Sequence, residues 1–371
     1  MKNKVISIIL CVFVLLVSFF SLPKQKNVEA FSINSKAYAV LECSTNRLLY
    51  SKNKDEKLPM ASTTKVMTAV LALEKGSLND VIEIKKEYTG IEGTSIYLKE
   101  GEKLTLEDLL HGMMLVSGND AAVAVAYHIG GSIEGFAKMM NEKAKELGMK
   151  NTNFKNPNGL PDDEHYTTAY DFALLASYAM KNENFVKIIN DKKWSMPYEG
   201  KENGRVIYNR NKLLNSFDGS NGVKTGYTKK ARKCFVFAAK RNDMQVVGVV
   251  LKSADHYTDS KNLLDMSFSN YKMEKIIEKG EYIKTLLLKN SKKGITKLTA
   301  ENDIYFPLKD GEEYKVDYKK VYNSGSDNYI LNYSINVNNE TYSYSEHLAH
   351  KNANKGIFYK FTNIFKNFVG L

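Results

Sequence analysis

The sequence predicts an α+β protein with a small all-β module behind it. Three observations carry that prediction. A strand-like run, Ala37 to Leu41, precedes several helical patterns; continuous apolar runs of strand length, Cys234 to Ala239 and Val246 to Leu251, follow them; period-two alternation takes over after about Met273. The first strand can satisfy its backbone only by joining the later ones, so strands and helices belong to one mixed domain. A chain of 371 residues accommodates that domain and a smaller one, and 43% hydrophobic with 26% charged residues is an ordinary globular balance. Long disorder, a disulfide-dense mini-protein (three cysteines) and a multi-span membrane protein are disfavoured.

Residues 1–30 read as a secretory signal peptide. Lys2 and Lys4 precede an apolar stretch from Val5 to Phe20, followed by Pro23 and a small-residue cleavage pattern ending at Ala30. The competing reading is an uncleaved membrane anchor; both export the rest of the chain. Cleavage removes four lysines and one glutamate, which takes the net charge from +11 to +8. An exported chain without a basic cluster interleaved with aromatics is not expected to bind nucleic acid, and its positive balance suits an anionic envelope surface. Cys43 and Cys234 lie in apolar strand-like runs, so two buried free thiols are expected in preference to a disulfide.

Asn46-Arg47 begins a turn into Leu48 to Tyr50. From Leu58 the pattern is helical, with Val66, Met67, Val70, Leu71 and Leu73 on one face and Gly76 as the stop. Thr105 to Asp108 forms a capping box before a helix to about Leu115, and helices are expected over Ala121 to His128 and Ile133 to Leu147. A second capping box, Thr168 to Asp171, opens a run to Met180, and a later helix is expected around Ser260 to Met273. Tyr314, Val316 and Tyr318 then alternate with polar residues, as do Leu331, Tyr333, Ile335 and Val337, with Asn338-Asn339 as a hairpin turn. In the tail Ile357, Phe358, Phe361, Ile364, Phe365 and Phe368 fall at helical spacing opposite lysines and asparagines. This predicts a basic amphipathic helix that lies on a membrane surface, the alternative being a helix packed on its own domain. The expected division is residues 1–30, 31–273, 274–350 and 351–371: signal, catalytic domain, β module and tail.

Ser62-Thr63-Thr64-Lys65 stands at the start of the first long helix, where a spacing of three puts serine and lysine on one face. A serine hydroxyl needs a neighbour to take its proton, and a desolvated lysine can do so. Alone the pattern is weak, since Ser21 to Lys24 and Ser269 to Lys272 match it too. Ser117-Gly118-Asn119 falls between two helices, where a loop can aim a hydroxyl and an amide into a cleft. Ser-x-Asn also begins at Ser32, Ser44, Ser51, Ser326 and Ser334, and Ser326-Asp327-Asn328 reads as a hairpin turn. Lys224-Thr225-Gly226 occurs once, at what reads as the exposed start of an edge strand. Lysine and hydroxyl side by side suit a substrate carboxylate, and the glycine admits a substrate backbone. The three motifs in this order are those of penicillin-binding proteins and class A β-lactamases.

With these residues the chain resembles the serine-type D-alanyl-D-alanine carboxypeptidases, the low-molecular-mass penicillin-binding proteins. Leu58 to Lys65, Ser117 to Ala122, Asn156 to Leu160, His165 to Asp171 and Gly222 to Thr228 all resemble that family's segments. The resemblance is strong over Ala37 to Met273 and looser over the β module and tail. It implies a β-lactamase/DD-peptidase-like domain, an antiparallel sheet flanked by helices, acting on peptidoglycan stem peptides ending in D-Ala-D-Ala and inhibited by β-lactams, with no metal or cofactor. Ser62 would be the nucleophile that becomes acylated, Lys65 the general base, Ser117 a proton relay, and Asn119 a holder of Lys65 and the substrate backbone. Lys224, Thr225 and Gly226 would bind the substrate, its terminal carboxylate lying on Lys224 and Thr225, and the backbone N–H groups of Ser62 and Tyr227 would form an oxyanion hole. One departure is visible: Arg232 stands where the family commonly has glycine, which puts the local turn in question. Rival readings are a serine β-lactamase, for which Glu164 lacks the expected Glu-x-x-Leu-Asn context, and a non-catalytic penicillin sensor or wall-binding module. For a zinc peptidase, Asp162 to His165 reads instead as a solvated loop leading to a capped helix, and His347 with His350 lacks a third ligand. The expected location is the outer face of the cell membrane.

Overall fold

The structure is a computed structural model that describes residues 32–198, 202, 204–287, 295–325 and 328–353. The expected signal segment, Ser326-Asp327 and the tail from residue 354 onward lie outside the described residues.

Strands β1 (Ala37–Glu42) and β2 (Leu48–Lys52) form a hairpin whose turn includes Asn46 at φ +54°. A 3-10 turn, Ala61–Thr64, runs straight into helix α1 (Lys65–Lys75), which stops at Gly76. The short ribbon of β3 (Val81–Glu83) and β4 (Lys103–Thr105) precedes α2 (Leu106–Leu115) and α3 (Asn119–Gly130). Next come α4 (Ile133–Glu146), α5 (Ala169–Ala179) and α6 (Glu183–Asn190), then the ribbon of β5 (Lys193–Met196) and β6 (Arg205–Tyr208). The domain closes with β7 (Ser220–Thr228), β8 (Arg232–Arg241), β9 (Met244–Ser253) and α7 (His256–Asn270).

The main sheet is antiparallel in the order β2-β1-β9-β8-β7, so the first strand does join the later ones. Alternate residues of the central strands face opposite sides. Leu41, Val236, Val247 and Val249 pack toward the larger helical layer, while Val40, Phe235, Phe237 and Val250 pack with Leu263 and Leu264 of α7. Both faces being covered is the reason these strands read as unbroken apolar runs rather than as alternation.

The Thr105 capping box forms as expected, with Asp108 N–H donating to Thr105 Oγ1 at 3.1 Å and Thr105 N–H to Asp108 Oδ2 at 3.1 Å. At Thr168 only half of the expected box exists. Its hydroxyl caps the Asp171 N–H, but the Asp171 carboxylate instead accepts from Asn151 N–H (2.7 Å) and Thr152 Oγ1 (2.8 Å), tying an upstream loop to α5. The last helix ends at Asn270, not Met273. Tyr271 to Ile277 is strand β10, whose backbone groups are satisfied by pairing with β13 (Ile304–Lys309).

That strand passes from one core to another: Tyr271 belongs to the core around α7, Ile277 to that of the β module. In the module β11 (Tyr282–Leu287), β12 (Ile295–Ala300), β14 (Tyr314–Asn323), β15 (Tyr329–Val337) and β16 (Glu340–Ala353) form a sheet ordered β11-β12-β16-β15-β14. Asn338 and Asn339, at φ +49° and +65°, make the β15–β16 turn, the left-handed pair that an Asn-Asn hairpin favours. Arg47 pins the module to the main sheet. Its guanidinium lies between the rings of Tyr271 (5.2 Å) and Phe306 (5.1 Å) and donates to both oxygens of Glu312 at 2.8 and 2.9 Å.

Cys43 and Cys234 are both free and buried, and burial raises both thiols, Cys234 to about 12, so neither is a ready nucleophile. At the β7–β8 turn Arg232 is held at φ +59°, where the family's glycine would sit without strain. Arg232→Gly is therefore expected to raise unfolding stability by about 0.5–1 kcal/mol, the left-handed cost less glycine's extra entropy. Thermal unfolding measures this, and a lowered midpoint would contradict it.

Candidate active site

The 3-10 turn holds Ser62 ahead of α1 through its threonines. Thr63 Oγ1 donates to Met60 O (2.6 Å) and Thr64 Oγ1 to Ala61 O (2.8 Å). Behind it lies His165, which burial lowers to about 4 and so keeps neutral. Its Nδ1 accepts from Lys155 N–H at 2.9 Å, so Nε2 carries the proton and donates to Thr64 Oγ1 at 2.8 Å.

Lys65 is wholly buried, and its Nζ has three neighbours: Ser62 Oγ at 3.1 Å, Asn119 Oδ1 at 2.7 Å and the Asn158 carbonyl at 2.7 Å. A neutral amine has two N–H groups and one lone pair. In that state the two acceptors would take both donors and leave the lone pair facing the Ser62 hydroxyl. Desolvation, with the nearby Lys224 charge second, holds Lys65 well below the ordinary lysine range. Asn119 is fixed in turn, its Nδ2 donating to Glu92 O at 2.5 Å and its N–H to Thr94 O at 2.7 Å. The adjacent Asp120 gathers Ser95 Oγ (2.5 Å), Ile96 N–H (3.0 Å) and Leu98 N–H (3.0 Å), so the loop before α2 is lashed to the second motif.

Ser117 sits between α2 and α3 at φ +70°, a strained backbone that turns it into the cleft shared with Ser62, Thr225, Gly226 and Tyr227. The cleft is about 390 Å³. The third motif departs from its expected setting. Lys224 lies mid-strand in β7 and is buried, at the edge of the sheet but not at an exposed strand start. Burial, then the neighbouring Arg210 charge, lowers its ammonium to about 7. Gly226 also has a different immediate reason from the expected one. A Cβ there would stand 2.9 Å from Thr63 N and 3.0 Å from Ser62 N, so its bareness lets β7 close on the nucleophile turn.

Four contributors had no motif to announce them. The Asn158 carbonyl is main chain, although Asn156 to Leu160 did stand out as a segment. Arg210 reaches the cleft on a turn anchored by its N–H to Leu115 O at 3.1 Å. Lys233 and His256 add to the wall, and among the described residues no acidic one lines the cleft. Glu164 is exposed, its carboxylate paired with Lys155 at 3.0 Å, and it does not line the cleft. Among the described residues no group of three or more His, Cys, Asp or Glu is placed to hold a metal.

A buried lysine against a serine, at a helix start and beneath an edge strand, is an arrangement suited to serine acyl transfer. Residues 24–255 match the family model described as D-alanyl-D-alanine carboxypeptidase. The chain is 35% identical over 311 residues to D-alanyl-D-alanine carboxypeptidase DacF of Bacillus subtilis, covering 82% of this chain and 79% of that one. It is 30% identical to DacA of Haemophilus influenzae, covering 79% and 76%. Among solved structures, penicillin binding protein 5 of Haemophilus influenzae superposes with a TM-score of 0.72 at 26% identity, covering 88% of this chain and 99% of that one. A Streptomyces DD-transpeptidase superposes at 0.61 with 32% identity, covering 64% and 98%. The chain belongs to the D-alanyl-D-alanine carboxypeptidase family.

Proposed function

We propose that this serine DD-carboxypeptidase acts through Ser62. The neutral Lys65 amine takes the Ser62 proton as Oγ attacks the carbonyl of the penultimate D-alanine, and Ser117 passes a proton to the leaving D-alanine amine. The Ser62 and Tyr227 N–H groups receive the developing oxyanion, while Lys224 and Thr225 hold the terminal carboxylate with Arg210 beside them. Water then frees the shortened stem peptide; a β-lactam, lacking a departing group, leaves the ester in place. The contact that carries this reading is Lys65 Nζ at 3.1 Å from Ser62 Oγ with both other neighbours acceptors. Ser62→Ala should abolish both D-alanine release from a D-Ala-D-Ala peptide and labelling by penicillin; D-alanine release retained in that variant would refute it.

The two lysines set the pH profile. Acylation needs Lys65 deprotonated, so kcat/KM falls at acid pH. Carboxylate binding needs Lys224 protonated, so kcat/KM falls again as pH rises through its pKa of about 7. Burial holds that pKa down most, and the Arg210 charge adds to it. Removing that charge in Arg210→Gln must raise the pKa, so the alkaline limb is expected to move to higher pH even where the maximal rate drops. An unmoved or acid-shifted limb would contradict the assignment.

We further infer that the chain is exported and rests on the outer face of the membrane. Support comes from the sequence alone: the basic and apolar start, and a tail with six large apolar residues at helical spacing and no acidic residue. No described helix is long and apolar enough to cross a membrane. Deleting residues 356–371 should release the enzyme from membrane fractions, and unchanged partitioning would exclude the anchor.

A further inference from the structure

A second cleft, of about 370 Å³, lies between the catalytic domain and the β module and shares no lining residue with the catalytic one. Its walls come from the β1–β2 and β8–β9 turns on one side and from strands of the module on the other. Among the described residues no lysine, arginine or histidine lines it, although the chain carries 53 Lys and Arg against 42 Asp and Glu. Three carboxylates do: Asp243, Asp303 and Glu346. Asp303 is neutralised by Lys275 at 3.0 Å. Asp243 and Glu346 have no ion pair among the described residues.

Glu346 is the anomaly. It pairs with Leu331 across the sheet and occupies the inward row of β16, between Tyr344 and Leu348, so that these three neighbours are apolar or aromatic. Burial pushes its carboxyl above the ordinary range, opposed only by the smaller influence of the neighbouring His347. Beside it Tyr333 is only 2% exposed, yet its hydroxyl makes no hydrogen bond among the described residues. The Tyr344 hydroxyl, by contrast, is committed to Thr45 O at 3.0 Å.

We propose that this cleft binds an organic ammonium group carried on an alkyl chain. A part-buried carboxylate without an ion pair, with a solvated one across the cleft, favours a cation between them. Tyr305 already carries the Lys275 ammonium over its ring at 5.9 Å, but the rings of Tyr333 and Tyr344 also line the cleft and attract a desolvated ammonium, and the Tyr333 hydroxyl offers an acceptor for one of its N–H groups. Met273 and Ile335 line the same space and suit the alkyl stem. A bare metal ion fits poorly, since no three ligating side chains converge and the space far exceeds what an ion fills. The catalytic cleft, lined by cations, repels the same ligand. A ligand here would touch Asp243 on one domain and Glu346 on the other, so it would stiffen the junction that Arg47 pins.

The test is calorimetric titration of the full-length protein with two amine probes and their neutral analogues. Nα-acetyl-lysine methylamide represents a peptide side chain and 1,5-diaminopentane a free amine; the first is compared with its Nε-acetylated form, the second with 1,5-pentanediol. The charged probes should saturate and bind at least about tenfold tighter than their neutral analogues, and the better of the two identifies the source. Glu346→Gln should remove at least about tenfold of that affinity while leaving the protein as stable or more so, because it deletes a part-buried charge without an ion pair. Tyr333→Phe and Asp243→Asn, the latter on an exposed turn, should each weaken binding without loss of fold. Penicillin should leave the titration unchanged. Equal binding of charged and neutral probes, absence of saturation, competition by penicillin, or unaltered affinity in both Glu346→Gln and Asp243→Asn would each overturn the proposal.

Discussion

Lys65→Ala is expected to lower the rate of penicillin acylation and of D-alanine release by about 10³–10⁴, the upper part of the range for loss of a general base and about 4–5 kcal/mol of barrier. The decisive companion is Lys65→Arg. A guanidinium keeps the positive charge and can still donate toward Asn119 Oδ1 and the Asn158 carbonyl, but it does not deprotonate and has no lone pair to offer Ser62. If Lys65 served only to position Asn119 or to supply charge, Arg would rescue much of the loss. As the base, it should rescue nothing, and both variants should fall together. Stopped-flow acylation by a chromogenic β-lactam separates these outcomes. Retention of more than about a tenth of the wild-type rate in Lys65→Arg would reassign the base.

What the sequence made legible follows a physical divide. Ser62 and Lys65 were readable as neighbours because a spacing of three is fixed by helix geometry, and the strand and helix order was readable because both sheet faces are apolar. Asn119 could be placed on a loop between helices, but its reach to Lys65, 54 residues away in the chain, came only through resemblance. The Asn158 carbonyl escaped because a main-chain acceptor has no residue-type signature. Arg210 escaped because a lone arginine between two asparagines looks like a solvated turn until Leu115 draws it to the cleft. Lys224 was found, yet placed at a strand start. The triplet's polar character suggested exposure, whereas the strand begins earlier, at Ser220, and buries the lysine. The helix drawn to Met273 failed for a related reason. Tyr271 and Met273 fit helical and alternating patterns alike, and only the partner strand, more than thirty residues further on, decides between them.

Gly159→Ala is expected to be among the most damaging changes of a single methyl group in this chain. Gly159 stands at φ +87°, and a Cβ there would lie 2.0 Å from Ala61 O and 2.9 Å from Ser62 N, against backbone that cannot swing aside as a side chain could. Two costs add: the left-handed conformation, about 1 kcal/mol, and displacement of the nucleophile turn, about 2 kcal/mol or more. Gly101 separates them. It has nearly the same backbone, φ +82°, but nothing within 4 Å of its added Cβ. Gly101→Ala should therefore lose about 1 kcal/mol of unfolding free energy and acylate normally. Gly159→Ala should lose about 3 kcal/mol and acylate at least about a hundredfold more slowly, because shifting Ser62 relative to Lys65 spoils a 3.1 Å contact on which proton transfer depends. Denaturant unfolding and acylation kinetics on the pair give both quantities. Equal stability losses with normal acylation in both would mean that Gly159 serves only its own backbone angle. A selective loss at Gly159 would instead make the segment Asn156 to Leu160 a brace for the nucleophile, its Pro157 carbonyl holding Thr68, its Asn158 carbonyl holding Lys65, and its glycine letting the whole strand of contacts come within reach.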